Sequence, residues 1–184
     1  MLKKFLPVLL LLAVCLAQAA EFKAPVLLTS GGQSADLQLV KTLLTRENIA
    51  FNVKPLATAA DLEQVGSVII VLGGSSKGLG AAKVSAEEES ARMTALLGAA
   101  QERKVPVLAI HVGGKNRRGA LSDEFNRLGA RGADELIVVA GGDDDGLFKG
   151  VAAERSIPFE IAPKISDVGA LLRARFTSVE PPKE

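Results

Sequence analysis

Short apolar runs alternate along this chain with stretches whose apolar positions recur at helical spacing. Pro25 to Thr29 is predicted as the first strand, and Leu37, Val40 and Leu44 then fall at i, i+3 and i+7 on one helical face. Phe51 to Leu56 is the second strand, followed by a short helix over Ala59 to Gln64. Ser67-Val-Ile-Ile-Val-Leu72 is continuously apolar after its first residue, as expected of a strand covered on both faces. Ser85-Ala-Glu-Glu88 is a capping box, so the next helix is expected to start near Ser85, with Met93, Leu97 and Ala100 on its buried face. Val105 to Val112 is the fourth strand, Leu121 to Leu128 a helix, Glu135 to Ala140 the fifth strand and Gly146 to Arg155 a helix. Ile157 to Ile161 is a candidate sixth strand, and Ser166 is placed to cap a last helix ending at Phe176.

This alternation predicts an α/β fold: a three-layer sandwich in which helices cover both faces of a parallel sheet of five to six strands. Right-handed crossovers favour a flavodoxin-like or Rossmann-like order, 2-1-3-4-5, with the candidate sixth strand added. No internal repeat or interdomain linker interrupts residues 20–177, which are read as one domain, and 178–184 are read as a loose tail.

The first 19 residues stand apart from the alternation. Lys3 and Lys4 precede an uncharged apolar run from Phe5 to Leu16, and Ala17-Gln18-Ala19 has the small-x-small pattern of a signal peptidase site. The run is short for a membrane span, which takes about 20 apolar residues. The reading is a cleaved signal peptide, with a retained N-terminal anchor as its competitor. Leu12-Ala13-Val14-Cys15 approaches a lipobox, but Val14 is too large for its slot and Cys15 lies inside the apolar run. Cleavage leaves 165 of the 184 residues, with 20 Lys and Arg against 21 Asp and Glu. That near neutrality argues against a nucleic-acid or anionic-membrane partner. The single cysteine leaves with the leader, so no disulfide and no thiol chemistry remain. Export to a bacterial periplasm or to the exterior is expected, without stable membrane insertion after cleavage.

Four glycine-rich loops follow predicted strands: Ser30-Gly31-Gly32-Gln33-Ser34, Gly73-Gly74-Ser75-Ser76-Lys77-Gly78-Leu79-Gly80, Gly113-Gly114-Lys115-Asn116-Arg117-Arg118-Gly119, and Gly141-Gly142-Asp143-Asp144-Asp145-Gly146. All leave the carboxyl ends of strands. The first and third strands would flank the switch-point crevice where open α/β sheets bind ligands. Glycine there serves close approach of backbone N–H groups to an anion, or merely tight turns. Lys77, Lys115, Arg117 and Arg118 can surround a phosphate, sulfate or carboxylate. His111 is the only histidine and lies near the end of the fourth strand, where a packing role competes with a catalytic one.

Several motifs tempt and fall short. Gly74 to Gly80 matches the G-x-x-x-G-x-G loop of short-chain dehydrogenases, but it follows the third strand and the chain has no tyrosine. Gly74-Ser75-Ser76-Lys77-Gly78 matches G-x-S-x-G, which would make Ser76 a nucleophile, His111 its base and Asp143, Asp144 or Asp145 the orienter. The next helix is expected well downstream, against that reading. Thr29 to Ser34 approximates a flavodoxin phosphate loop, yet the chain has no Trp or Tyr to stack a flavin. One histidine and no mature cysteine argue against zinc. The Asp143-Asp144-Asp145 run is better read as an acidic helix start than as a cation site. No metal and no cofactor are predicted.

Pro25 to Asp36, Gly73 to Ala81, His111-Val112-Gly113-Gly114, Arg117 to Asp123, Gly146 to Lys149 and Lys164 to Asp167 together carry a resemblance that spans nearly all of the mature chain. They look like an uncharacterised bacterial family of exported domains of unknown function. The resemblance implies a flavodoxin-like domain outside the cytoplasm and supplies no activity. The leading functional expectation is a binding domain for a small anion. Its site would comprise Ser30, Gly31, Gly32, Gln33 and Ser34; Gly73, Gly74, Ser75, Ser76, Lys77 and Gly78; and His111, Gly113, Gly114, Arg117 and Arg118. The alternatives are a hydrolase-type enzyme using Ser76 and His111, and a protein-interaction module without a ligand.

Overall fold

The computed structural model describes residues 20–176. The expected signal peptide over 1–19 and the tail over 178–184 lie outside the described residues. The strands are β1 (Val26–Gly31), β2 (Phe51–Val53), β3 (Ser67–Leu72), β4 (Val107–His111), β5 (Glu135–Val139) and β6 (Phe159–Ala162). They form one six-stranded parallel sheet in the order β2-β1-β3-β4-β5-β6. The predicted order thus holds, and the sixth strand is real. The long pairing is β1 with β3, from Val26 opposite Ser67 to Gly31 opposite Leu72.

The helices are α1 (Leu37–Arg46), α2 (Ser76–Ala82), α3 (Ala86–Glu102), α4 (Ala120–Arg131), α5 (Leu147–Arg155) and α6 (Ile165–Phe176). Successive strand side chains point to opposite faces, and both faces are apolar here. Leu27, Ile70, Leu72, Ala109, Leu136 and Val138 pack under Leu79, Met93, Leu96, Phe125 and Phe148, which belong to α2, α3, α4 and α5. Val26, Leu28, Ile69, Val71, Ile110 and Ile137 pack under Val40, Leu44, Val168 and Leu172, from α1 and α6. The chain therefore leaves β1 toward one face and β3 toward the other. Their carboxyl ends part there, which opens a cleft at the sheet edge.

Three expectations need correcting. β2 ends at Val53, not Leu56, because the chain turns outward at Lys54-Pro55. Ser76–Ala82 is a helix, where the sequence reading had a loop; Ser75 caps it, its hydroxyl accepting the Gly78 N–H at 3.0 Å. Finally, α6 begins at Ile165, and it is the Asp167 carboxylate, not Ser166, that accepts a backbone N–H at its start, from Lys164 at 3.1 Å. The capping box at Ser85 is present as expected, with Glu88 accepting from the Ser85 N–H at 2.7 Å.

Candidate functional site

The loop after β1 turns sharply at two residues in the left-handed region, Gly32 (φ +105°) and Gln33 (φ +58°). A Cβ at position 32 would stand 2.7 Å from the Gly73 carbonyl, so only glycine lets the two loops meet. Gln33 is not a glycine, and its backbone costs about 1 kcal/mol. Its side chain offsets that, because Nε2 donates both to the Pro55 carbonyl (3.0 Å) and to Glu89 Oε1 (3.0 Å). Glu89, on α3, is fully buried. Its Oε1 also accepts the Gly32 N–H at 2.9 Å. Arg92, one turn on, grips both Glu89 oxygens at 2.8 Å and donates to the carbonyls of Ser30 (2.6 Å) and Ala57 (2.8 Å). An internal carboxylate thus already occupies the amide expected to hold an outside anion.

The loop after β3 is committed in the same way. The N–H groups of Gly73 and Ser75 donate to the carbonyls of Gly31 and Gly32, both at 2.9 Å. Gly74 donates to the Ser122 hydroxyl (3.1 Å), which donates back to the Gly74 carbonyl. The glycines of these two loops form a closed backbone seam; the side chains beside it face the cleft.

That cleft encloses about 920 Å³. One wall comes from the β1 loop and the start of α1: Ser30, Gln33, Ser34, Ala35, Leu37 and Gln38. The turn after β2 supplies Lys54, Pro55 and Leu56. The opposite wall is Ser75, Lys77, Gly78, Ala81 and Ala82, with Arg117 completing the rim. Among the described residues no Asp or Glu lines it. Ser30 is 1% exposed, and its Oγ has no hydrogen-bond partner among the described residues. Such an unsatisfied buried hydroxyl costs about 1–3 kcal/mol.

Of the residues expected at the site, Ser30, Gln33, Ser34, Ser75, Lys77, Gly78 and Arg117 line this one cleft. Gly31, Gly32, Gly73 and Gly74 belong to the seam beneath it. Arg117 Nε donates to Asp36 Oδ2 at 3.2 Å, and Asp36 is buried at the turn into α1. The remaining residues lie outside the cleft lining. Ser76 is exposed at the start of α2. Gly113 and Gly114 are half-buried beneath Arg117 and His111.

His111 is fully buried, with its ring 5.0 Å from that of Phe148. Nδ1 faces the Leu72 carbonyl (3.1 Å) and Nε2 the Gly114 carbonyl (3.3 Å). Burial lowers its pKa, outweighing the two carbonyls, which favour the charged ring. A neutral ring donates to only one of those carbonyls, and neither nitrogen is open to the cleft.

Arg118 is a clamp. It donates to Asp123 (2.6 Å), to both oxygens of Asp145 (2.9 and 2.7 Å) and to the Gly142 carbonyl (2.6 Å), and its guanidinium lies 5.7 Å from the centre of the Phe148 ring. The Arg118 hydrogen bond holds the Asp145 carboxyl down at about 2. Asp143 accepts the N–H groups of Phe148 (2.6 Å) and Lys149 (3.0 Å), which makes it the acidic helix start that the sequence suggested. Lys115 pairs with exposed Asp144 at 2.8 Å.

Sequence reasoning missed the β2 turn, the apolar wall of α2 and the Glu89–Arg92 pair. One signal for the pair was available: Glu89 precedes Met93 by four residues and so shares its buried face. An acid on such a face needs a partner, and Arg92 is the adjacent base. The α2 wall gave no such signal, since Gly78 and Gly80 lower helix propensity and leave too few apolar positions to show a period.

A family model described as Domain of unknown function (DUF6305) matches residues 23–176, and the chain belongs to that family. No curated protein matches it. Among solved structures, the D162A mutant of esterase AlinE4 is similar over 88% of this chain and 85% of its own, at 13% identity and a TM-score of 0.31. The unmutated AlinE4, described as an SGNH-hydrolase family esterase, is similar over 90% and 85%, at 13% identity and a TM-score of 0.30. These scores carry no argument about activity.

Proposed function

We propose that this member of the DUF6305 family is an exported binding domain for a small anionic molecule, held in the cleft between β1, β2 and α2. The observation that carries the reading is the cleft's charge: Lys77 lines it with no ion-pair or hydrogen-bond partner among the described residues, and the acids that meet Lys54 and Arg117, Asp61 and Asp36, lie outside the lining. In a concave, partly desolvated site, cations without lining acids favour an anion more than they would on an open surface. The volume of about 920 Å³ suits a small molecule. The binding groups are side chains: Lys77 and Arg117 for charge, and the hydroxyls of Ser30, Ser34 and Ser75 for direction. The glycines give these side chains a rigid base. The reading assigns no chemical step. Export rests on the leader pattern of Lys3 to Ala19.

The test is a thermal-shift series of the full chain against phosphate, sulfate and small carboxylates. At 100 times its dissociation constant, a true ligand adds about 2.7 kcal/mol. For a domain of this size that raises Tm by roughly 5–10 °C. Lys77→Ala should remove most of the shift while leaving the ligand-free Tm within about 2 °C, since Lys77 is exposed. If no anion moves Tm, the reading fails.

A further inference from the structure

We infer that the ligand is an amphipathic monocarboxylate: one carboxylate head on an unbranched apolar tail of several carbons. The inference rests on the anion-binding reading above and narrows it.

The charge count of the cleft sets the head. Arg117 already serves buried Asp36, and Lys54 lies 3.9 Å from Asp61. Lys77 has no ion-pair or hydrogen-bond partner among the described residues. The lining therefore offers one uncompensated positive charge, which balances a monoanion and leaves a dianionic phosphate in excess. Ser30 supplies the second head contact. Its hydroxyl is buried in the floor of the cleft without a partner among the described residues, while the side chains of Thr29, Gln33 and Ser34 beside it are hydrogen-bonded; Ser90 Oγ and Asn126 Oδ1 are likewise buried without a partner. A carboxylate oxygen accepts from such a hydroxyl and from Lys77.

The walls set the tail. Leu37, Pro55, Leu56, Ala81 and Ala82 turn apolar surface into the cleft, and Leu56 is 38% exposed at its mouth. A compact inorganic anion leaves that surface wet; an alkyl chain covers it. Among the described residues no aromatic ring lines the cleft to stack a nucleobase or flavin. The small side chains of Ala81 and Ala82 on the α2 wall leave room for a thin chain.

The experiment is calorimetric titration of the full chain with acetate, butanoate, hexanoate, octanoate and inorganic phosphate. A fully buried methylene multiplies affinity about fourfold, so a rise of about two- to fourfold per added methylene is expected, with octanoate far ahead of phosphate. Leu56→Asn should flatten that rise. Ser30→Ala should weaken octanoate at least fivefold while the fold becomes no less stable, because the substitution removes an unsatisfied hydroxyl. A purely structural Ser30 would give the reverse pattern. Affinity that does not grow with chain length, or phosphate matching octanoate, overturns this inference; if that binding still depends on Lys77, the anion-binding reading stands. An octanoate affinity unaffected by Lys77→Gln overturns the carboxylate head and the anion reading together. No binding by any of the five overturns both.

Discussion

The Glu89 carboxylate accepts the backbone N–H of Gly32 at 2.9 Å, across 57 residues of sequence. The contact occupies the Gly32 amide of the first glycine-rich loop. That amide is aimed at an anion, and the anion is the protein's own. With Arg92 behind it and Gln33 beside it, Glu89 ties the β1 loop to the turn after β2, and so holds together two walls of the cleft.

Glu89→Ala should destabilise the fold by about 3–5 kcal/mol, because it strands the largely buried Arg92 guanidinium and the Gly32 and Gln33 donors. Glu89→Gln keeps the shape and one acceptor, and should cost less. Urea denaturation of both variants measures the difference. A loss under 1 kcal/mol for Glu89→Ala would show that the strap contributes little.

Two glycines of α2 should respond with opposite sign. A Cβ at Gly78 would stand 1.8 Å from the Gln33 carbonyl oxygen, a backbone atom that cannot move without breaking the seam. Gly78→Ala should therefore cost several kcal/mol by overpacking. A Cβ at Gly80 meets nothing within 4 Å. Gly80→Ala should stabilise by about 0.5–1 kcal/mol through helix propensity. Thermal melts of the pair give both signs in one experiment.

His111 makes stability depend on pH. Burial lowers its folded pKa below 6.5, with the Gly114 and Leu72 carbonyls only partly offsetting it. Between the lowered value and 6.5 the unfolded chain binds the extra proton, so stability rises with pH there. The full contribution is present above about pH 6.5 and is lost as pH falls through the folded pKa. The slope cannot exceed about 1.4 kcal/mol per pH unit for one group. Denaturation midpoints from pH 4 to 8 should show this rise, and His111→Gln should flatten it.

Arg118→Lys should not rescue the clamp that Arg118→Ala removes. The guanidinium reaches two carboxylates and a carbonyl at once while stacking on Phe148, and an ammonium has neither the fork nor the plane. Each substitution should cost about 1–3 kcal/mol, since the partners are partly exposed. Carboxyl NMR gives the independent readout: Asp145, held at about 2 chiefly by the Arg118 hydrogen bond, should titrate higher in either variant, with the Leu147 N–H still holding it below the ordinary carboxylate value.

Much of the architecture was legible in the chain. Ser67 to Leu72 announces a strand buried on both faces, and Ser85 with Glu88 announces a helix start, because each signal is local and follows from burial or capping. The limit of β2 was less legible: Phe51 to Leu56 has strand composition throughout, yet only Phe51–Val53 pair with β1. Past Val53 the chain turns: Lys54 N–H still donates to the Leu28 carbonyl, but the Pro55 carbonyl accepts from the Thr29 and Gln33 side chains as well as, at 3.4 Å, the Ser30 N–H, and the regular register ends. That turn becomes a wall of the cleft, so one misread element hid three lining residues.

The sequence by itself determined the alternation of strands and helices, the edge at which the glycines gather, and the exclusion of tyrosine and indole chemistry. These depend on composition and on spacing within a few residues. Only the tertiary structure decided which of the loop groups are spent and which face the cleft. Gly32 and Glu89, Arg117 and Asp36, and Arg118 and Asp145 are separated by 57, 81 and 27 residues. A hydrogen bond between such groups is set by where the sheet order brings the loops, and no local pattern records it. The glycine loops therefore proved to be a self-paired base, and the cleft above them is lined by Ser30, Lys77 and the apolar wall beside them.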